Sequence, residues 1–518
     1  MALKTGRRKN ASGSRWCVLC LCVASLLSLP FHSQAVDLGS PNEEFTGWFG
    51  WSVSGVPDVS GDGVGDVVLG AIGEGNGEGL SGAGRAYVFN GKTGQLIHSL
   101  VSPNDELTGN FGSSVAGMPD LDGDGKGEVV VGARGEDPSG SPSDAGRVYI
   151  FSGATGQWMR QLKSPSEEVT GSFGWSVSEV PDINGDGRWD LVVGAIGEGQ
   201  GQYPSGAGRV HILSGFTGAL LHTLVSPNDE VTGDFGYSVA GIPDLDGDGS
   251  GDVVVGARGE DPTGSPSEAG RAYIFSGKSG NLLRSLKSPN ESSTGQFGIS
   301  VSAVPDINGD GHWDVVVGAP GEEPGTSPKE AGRAYIFDGF SGNRLRTLVS
   351  PSEEFEGGFG TSVSGFPDLN GDGSGEVVVG AIGESPGSSP NDAGRTYIFN
   401  GANGSLLKTL SSPHEDFIGN FGWAVSEIAF EAGGGQLGAI ASAIGESSKS
   451  GPKDVGRAYL FHFNAPPTPT PVYDVEPEPP DGFVDAKDLH HWFQAIKEGE
   501  EDSLLLFDFS RFWQGEWR

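Results

Sequence analysis

Six short segments of this chain carry oxygen-bearing side chains at one fixed spacing. Each runs nine residues in the pattern D-x-[DNS]-G-D-G-x-x-[DE] and opens with an aspartate. The candidate ligands stand at positions 1, 3, 5, 7 and 9. In the first segment they are Asp58, Ser60, Asp62, Val64 and Asp66; in the second Asp120, Asp122, Asp124, Lys126 and Glu128. The third offers Asp182, Asn184, Asp186, Arg188 and Asp190; the fourth Asp244, Asp246, Asp248, Ser250 and Asp252. The fifth offers Asp306, Asn308, Asp310, His312 and Asp314; the sixth Asp368, Asn370, Asp372, Ser374 and Glu376. Calcium is a hard cation that takes about six to eight oxygens at about 2.3–2.6 Å. Side chains at positions 1, 3 and 5 of a tight loop face one side, and glycine at position 6 permits the sharp turn. Position 7 offers its backbone carbonyl, and a carboxylate at position 9 closes the site. With no Cys or His side chain among the donors, zinc and copper fit poorly. Magnesium, which keeps several waters, fits less well than calcium. A single such loop could be a metal-free Asp-Gly turn; six at one spacing argue for up to six calcium sites.

The loops recur because the chain does. Phe-Gly occurs at Phe49, Phe111, Phe173, Phe235, Phe297, Phe359 and Phe421, each step being 62 residues. Gly-Arg followed by an aliphatic-aromatic run keeps the same period from Arg85 to Arg457. In the second copy, residues 111–118, 128–133, 147–151 and 157–162 read as strands, rich in β-branched residues and bounded by Gly, Pro, Asp and Ser. Four short strands per repeat make one propeller blade, and a closed ring leaves few exposed edges. The expected fold is therefore all-β: a seven-bladed β-propeller of four-stranded blades. The seventh copy runs into Asn464 and a Pro-rich stretch without a fourth strand, so residues 36–39 are expected to complete the last blade. Residues 430–438 of that copy hold one carboxylate, and no metal is expected there.

The remaining segments suggest an exported protein. Lys4, Arg7, Arg8, Lys9 and Arg15 precede an apolar stretch, and Ser33-Gln34-Ala35 resembles a cleavage site, so residues 1–35 read as a signal peptide. The propeller is assigned to residues 36–463, a Pro-rich linker to 464–480 and a small helical appendage to 481–518. Part of the appendage, residues 481–489, looks like half of an EF-hand or dockerin loop. No later segment is apolar enough to span a membrane. All three cysteines lie within the signal, which leaves core and metals to hold the fold. The net charge is −36, and the five basic residues of the signal leave −41 on the remainder. That charge repels phosphate backbones and makes nucleic acid a poor candidate partner.

Phe-Gly, the aspartate loop and then Gly-Ala-Pro (residues 318–320, with Gly-Ala-Ile or Gly-Ala-Arg in other copies) resemble the FG-GAP repeat. That repeat builds the N-terminal propeller of integrin α chains and occurs in bacterial surface proteins. The resemblance spans residues 37–463 and implies a seven-bladed propeller with calcium in several blades. The chain shows no inserted von Willebrand-type domain, leg domains or transmembrane helix. A phospholipase D specific for glycolipid anchors also carries such propellers, but no catalytic domain is visible here.

A ligand site should lie at positions that vary among the copies, because one ligand cannot need seven equivalents. The residue after Phe-Gly is Trp51, Ser113, Trp175, Tyr237, Ile299, Thr361 or Trp423. Trp51, Trp175, Tyr237 and Trp423 are the candidate ligand-binding residues, since such rings stack on sugars and anchor protein partners. Glu74 and its six equivalents, present in every copy, are expected to satisfy loop amides or the repeated arginines. Trp189 and Trp313 are expected to be packing residues. The reading is a secreted or cell-surface (or periplasmic) monomeric propeller that binds an extracellular protein or glycan through its loop face. No catalytic constellation is identifiable. A propeller-fold polysaccharide lyase or hydrolase and a structural envelope component are the alternatives.

Overall fold

Glycine-bounded runs of valine, isoleucine and aromatic residues divide every repeat into four short antiparallel strands. The computed structural model describes residues 35–75, 82–199, 206–262, 264–387, 389–428, 436–447 and 452–464. Residues 1–34 of the expected signal peptide, the expected linker beyond Asn464, the expected appendage and most of residues 430–438 lie outside them. Blade 2 consists of Phe111–Met118, Glu128–Ala133, Arg147–Ser152 and Trp158–Leu162. Seven such four-stranded sheets form, six of them from four strands consecutive in sequence and the seventh from the last three strands and the first. No helix occurs among the described residues.

The burial pattern follows from blades stacking face to face around an axis. The second strand of a blade is covered on both sides and reads as a continuous apolar run: all six residues of Asp252–Ala257 are buried. The outermost strand, such as Leu282–Leu286, begins exposed and ends buried. Each hydrophobic cluster joins two neighbouring blades. Val56, Val68 and Val88 of blade 1 pack with Phe111, Val131 and Tyr149 of blade 2. The Phe of each Phe-Gly lies across the third-strand aromatics; in blade 2 the Phe111 and Phe151 ring centroids are 5.8 Å apart at 81°.

Two glycines per repeat are required by geometry. The glycine of Gly-Ala touches the next blade, where a Cβ at Gly132 would sit 2.3 Å from the Gly174 carbonyl. The glycine of Phe-Gly has φ near +88°, as at Gly112, and the register of the inner strand shifts just beyond it. Such a bulge re-aims the residue that follows.

The seam closes as the missing fourth strand suggested. Val36–Gly39 pairs antiparallel with Arg457–Asn464, placing Leu38 opposite Ala458. Leu38 is 1% exposed and joins the cluster between blades 7 and 1. Asp37 holds the seam from outside, 3.1 Å from both Arg457 and His414. The strand order puts the aspartate loops and the third-to-fourth turns on one face of the ring. The second-to-third loops and the inter-blade segments share the other.

Candidate functional site

Each aspartate loop is shaped by its own carboxylates. The position-1 aspartate accepts the amides of positions 4 and 6: Asp120 takes Gly123 at 2.6 Å and Gly125 at 2.7 Å. The same pair of bonds recurs at Asp58, Asp182, Asp244, Asp306 and Asp368. Asp62, Asp124, Asp186, Asp248, Asp310 and Asp372 accept the amide of position 7. Position-7 side chains point elsewhere. Arg188 lies over Phe216 at 4.0 Å, and His312 stacks on Phe340 at 4.6 Å. That suits a position offering only its carbonyl.

Position 9 is where the loops differ. Every one of these carboxylates is buried, and each accepts the position-2 amide, as Glu128 does from Leu121 at 2.7 Å. Asp66, Asp190, Asp252 and Asp314 spend their other oxygen on a glycine amide in the third-to-fourth turn. The longer Glu128 and Glu376 reach into the loop instead. Three carboxylate groups converge within 4.8 Å at Asp120–Asp122–Glu128, at Asp244–Asp246–Asp248 and at Asp368–Asp372–Glu376. The loops at Asp58, Asp182 and Asp306 bring no such trio together among the described residues.

Charge within the loops is costly without a counter-ion. Burial, with Asp122, Asp120 and Asp124 nearby, pushes Glu128 up to about 8. Burial and Asp368 push Glu376 up to about 8 as well. Asp252 and Asp314 rise to about 7, again through burial first. At position 1, burial opposes ionisation at Asp58 and Asp120, but the loop amides outweigh it and lower both pKa values. An all-oxygen donor set with buried carboxylates that resist ionising fits a hard divalent cation.

On the opposite face, the four variable aromatics come together at the mouth of the ring. Trp51 and Trp423 lie 5.0 Å apart by centroid, and the Trp423 indole N–H donates to the Trp51 carbonyl at 3.1 Å. Trp175 and Tyr237 lie 5.3 Å apart. Arg134, from the blade between, joins the two pairs: its guanidinium is 4.2 Å from the Trp175 centroid and 5.8 Å from that of Trp51. Arg258 covers Tyr237 at 4.0 Å and pairs with Asp234 at 3.0 Å. All four rings are half-buried, so each keeps accessible surface at the mouth. Outside them stand Phe45, Leu107, Val169, Val231, Phe355 and Phe417 on the inter-blade segments, each more than half exposed.

Other expectations need correction. The side chains of Glu74 and its equivalents hydrogen-bond neither loop amides nor the repeated arginines, whose charge reaches Glu74, Glu260, Glu322 and Glu384 without contact. Each is buried beside a serine of the preceding Ser-Pro segment and a third-strand hydroxyl, as in Ser40–Glu74–Tyr87 and Ser226–Glu260–Tyr273. In blade 3 the partner is His211, at 2.8 Å from Glu198. The arginines pair instead with a carboxylate of the following inter-blade segment, as Arg271 does with Glu291 at 2.6 Å. Trp189 and Trp313 are not core residues, being 37% and 39% exposed on the aspartate-loop face.

One feature went unread. Near the end of the inner strands, the seven copies place Gly55, Gly117, Glu179, Gly241, Ala303, Gly365 and Glu427. Glu179 and Glu427 line a cavity of about 250 Å³ with Ser54, Ser426 and Trp189. Burial, and then the charge of Glu179, push Glu427 up to about 7; burial raises Glu179 too. Comparing equivalent positions down the repeats would have exposed the pair.

The comparisons agree with this geometry. Residues 111–151, 173–213, 235–275 and 297–337 match the FG-GAP repeat. The propeller is integrin-α-like. Integrin alpha-IIb of Homo sapiens is 35% identical over 237 residues, covering 43% of this chain and 21% of that protein. Integrin alpha-5 of Xenopus laevis is 31% identical over 261 residues, covering 47% and 23%. Integrin alpha-11 of Homo sapiens is 37% identical over 176 residues, covering 32% and 14%. The chain thus spans about a fifth of the length of the curated relatives it matches.

Proposed function

We propose that this chain is an exported, calcium-binding propeller that holds a protein or glycan ligand at its aromatic mouth. The observation that carries the reading is the meeting of Trp51, Trp175, Tyr237 and Trp423, from four different blades, around Arg134. A blade needs none of these rings, since the other copies place Ser113, Ile299 or Thr361 there. Rigid, partly accessible aromatics are efficient contact surface. Similarity to integrin alpha chains supports a binding module rather than an enzyme. Calcium in up to six loops would stiffen the opposite face, with Glu128 and Glu376 closing two sites directly. The same proposal includes a signal peptide at residues 1–35, the linker and appendage after residue 463, and a monomeric, secreted or surface-displayed product.

A second reading has its own observation. Glu179 and Glu427 form a carboxyl pair in a cavity, both with a pKa raised by burial, and a pair of carboxyl groups is what a glycosidase needs. One experiment separates the two readings. The purified chain is exposed to a panel of insoluble polysaccharides and cell envelopes, with calcium and with chelator, and both retained protein and released sugar are measured. Calcium-dependent retention without release is expected. Sugar release that disappears in Glu427→Gln would replace the binding reading with the enzymatic one.

A further inference from the structure

We propose that Arg134, held between Trp51 and Trp175, is a recognition site for the carboxylate of an acidic sugar. This rests on the binding reading above and names its ligand class.

Blades 2 and 4 stand apart from the other five at the mouth. The residue after Gly-Ala is arginine in only these two copies, Arg134 and Arg258; elsewhere it is Ile72, Ile196, Pro320, Ile382 or Ile444. Both guanidiniums lie on an aromatic ring of the mouth, at 4.2 Å from Trp175 and 4.0 Å from Tyr237. Their electrostatics then diverge. Arg258 is neutralised by Asp234, 3.0 Å away on the residue just before Phe235. The equivalent of Asp234 in blade 2 is Asn110, one repeat-pair earlier, and its side-chain amide is turned to the Thr108 carbonyl at 2.8 Å. Arg134 consequently has no carboxylate within ion-pair distance among the described residues. Burial lowers its pKa, with only the Tyr237 hydroxyl acting the other way.

Arg134 thus keeps a half-buried guanidinium without an anion in a chain of net charge −36, and unlike Arg85, Arg160, Arg284 and Arg346 it is given no backbone carbonyl in exchange among the described residues. Most of the repeated Gly-Arg arginines, by contrast, are paired: Arg147 with Glu167, Arg209 with Asp229, Arg271 with Glu291, Arg333 with Glu353 and Arg395 with Glu415. Of the two arginines that follow Gly-Ala, only Arg134 lacks its acid, and it lies at the mouth. Guanidinium presents a planar fork of N–H donors that matches a carboxylate in two bonds. The flanking tryptophans are half-buried, and the surface they keep accessible is apolar contact for the C–H side of a pyranose ring. A uronic acid offers both partners in one residue, with its carboxylate on the ring that stacks. A neutral sugar would leave Arg134 unpaired, and a peptide carboxylate would leave the tryptophan faces uncovered.

The test uses the full chain, with polygalacturonate and its methyl ester as the immobilised probes. Asn110→Asp is the informative variant, because it gives Arg134 the partner that Arg258 already has. Asn110 and Asp234 share φ of 54°, so the aspartate enters without new backbone strain. Arg134→Gln removes the charge itself. Wild-type protein is expected to be retained on polygalacturonate and not on the ester, and both variants to bind about 10- to 100-fold more weakly, as for loss of a charge-assisted bidentate contact. Calcium bridging between the aspartate loops and the polymer is separated by the same variants, which leave every loop intact. Equal retention of wild type on the ester, or undiminished retention of Asn110→Asp, would overturn the inference. So would soluble polyglutamate competing as well as oligogalacturonate, which would mark the site as a peptide-carboxylate reader. Retention on other members of the panel but not on polygalacturonate would sink this inference alone; no retention on any support would sink the binding reading as well.

Discussion

Removing divalent cations should destabilise the propeller strongly at neutral pH and weakly in acid. The reason lies in the position-9 carboxylates. Glu128 and Glu376 are pushed up to about 8 and Asp252 and Asp314 to about 7, in each case by burial first. Their unfolded values are near 4, so between about pH 4 and 7 the folded chain holds protons that the unfolded chain has lost. Stability from these groups is fully present below the unfolded pKa and is lost as pH rises through the folded one. Each unit is about 1.4 kcal/mol per group, which residual solvation in the loops reduces to roughly half. Four groups then contribute a loss of about 5 kcal/mol between pH 5 and pH 7 in chelator. A bound cation takes the proton's place and removes that loss. At about ten times the dissociation constant each site adds about 1.4 kcal/mol, so six add roughly 8. Unfolding entropy of about 2 cal/mol/K per residue over ~430 residues converts this to a rise of about 9 °C. Scanning calorimetry with calcium and with chelator, at about pH 5 and pH 7.5, reads it directly. The calcium-induced rise should be near 10 °C at the higher pH and less than half that at the lower. An equal rise at both pH values, or none at pH 7.5, would refute the reasoning about position 9.

Further predictions follow from the packing. Glu427→Gln should raise the thermal midpoint at pH 8 and leave it unchanged at pH 5, because a carboxyl pushed up to about 7 is neutral in the fold below that value and costs up to about 3 kcal/mol above it. Tyr335→Phe deprives buried Glu322 of its hydroxyl partner and should cost about 1–3 kcal/mol by denaturant titration. Leu38→Ala should cost about 2–5 kcal/mol and increase hydrogen exchange along Arg457–Asn464, since Leu38 closes the ring from the N-terminal strand. Gly132→Ala should destabilise more than Gly140→Ala, because a Cβ at Gly132 meets the Gly174 carbonyl at 2.3 Å, whereas at Gly140 nothing lies near the Cβ and the cost is the backbone strain of a φ of 95° alone, about 1–2 kcal/mol.

Much of the architecture was legible in sequence because a repeat fixes it many times over. An unbroken period of 62 residues, four β-rich runs per period and a missing last strand were enough to place every blade and the seam. The loops were equally legible in outline, but not their split at position 9. One methylene decides whether the carboxylate bonds a distant turn, as Asp252 does with Gly277, or reaches into the loop, as Glu128 does. Position alone signalled the four aromatics, yet not their joining through Arg134, which comes from a different strand of an intervening blade. The repeated glutamates were misassigned because spacing shows that a residue recurs without showing which neighbour faces it. The serine partner of Glu260, Ser226, lies 34 residues earlier. The channel pair Glu179 and Glu427 stands out only when the seven copies are read position by position.

On the proposed reading, ligand is held at the aromatic mouth and not on the aspartate-loop face. The direct test is retention of two variants, with calcium, on whichever support of the polysaccharide and envelope panel holds the wild type best. Trp175→Ala/Tyr237→Ala removes one aromatic pair of the mouth, and Trp313→Ala removes an exposed ring from the opposite face. The account predicts that the first loses retention and the second keeps it. Retention lost in Trp313→Ala and preserved in Trp175→Ala/Tyr237→Ala would contradict it.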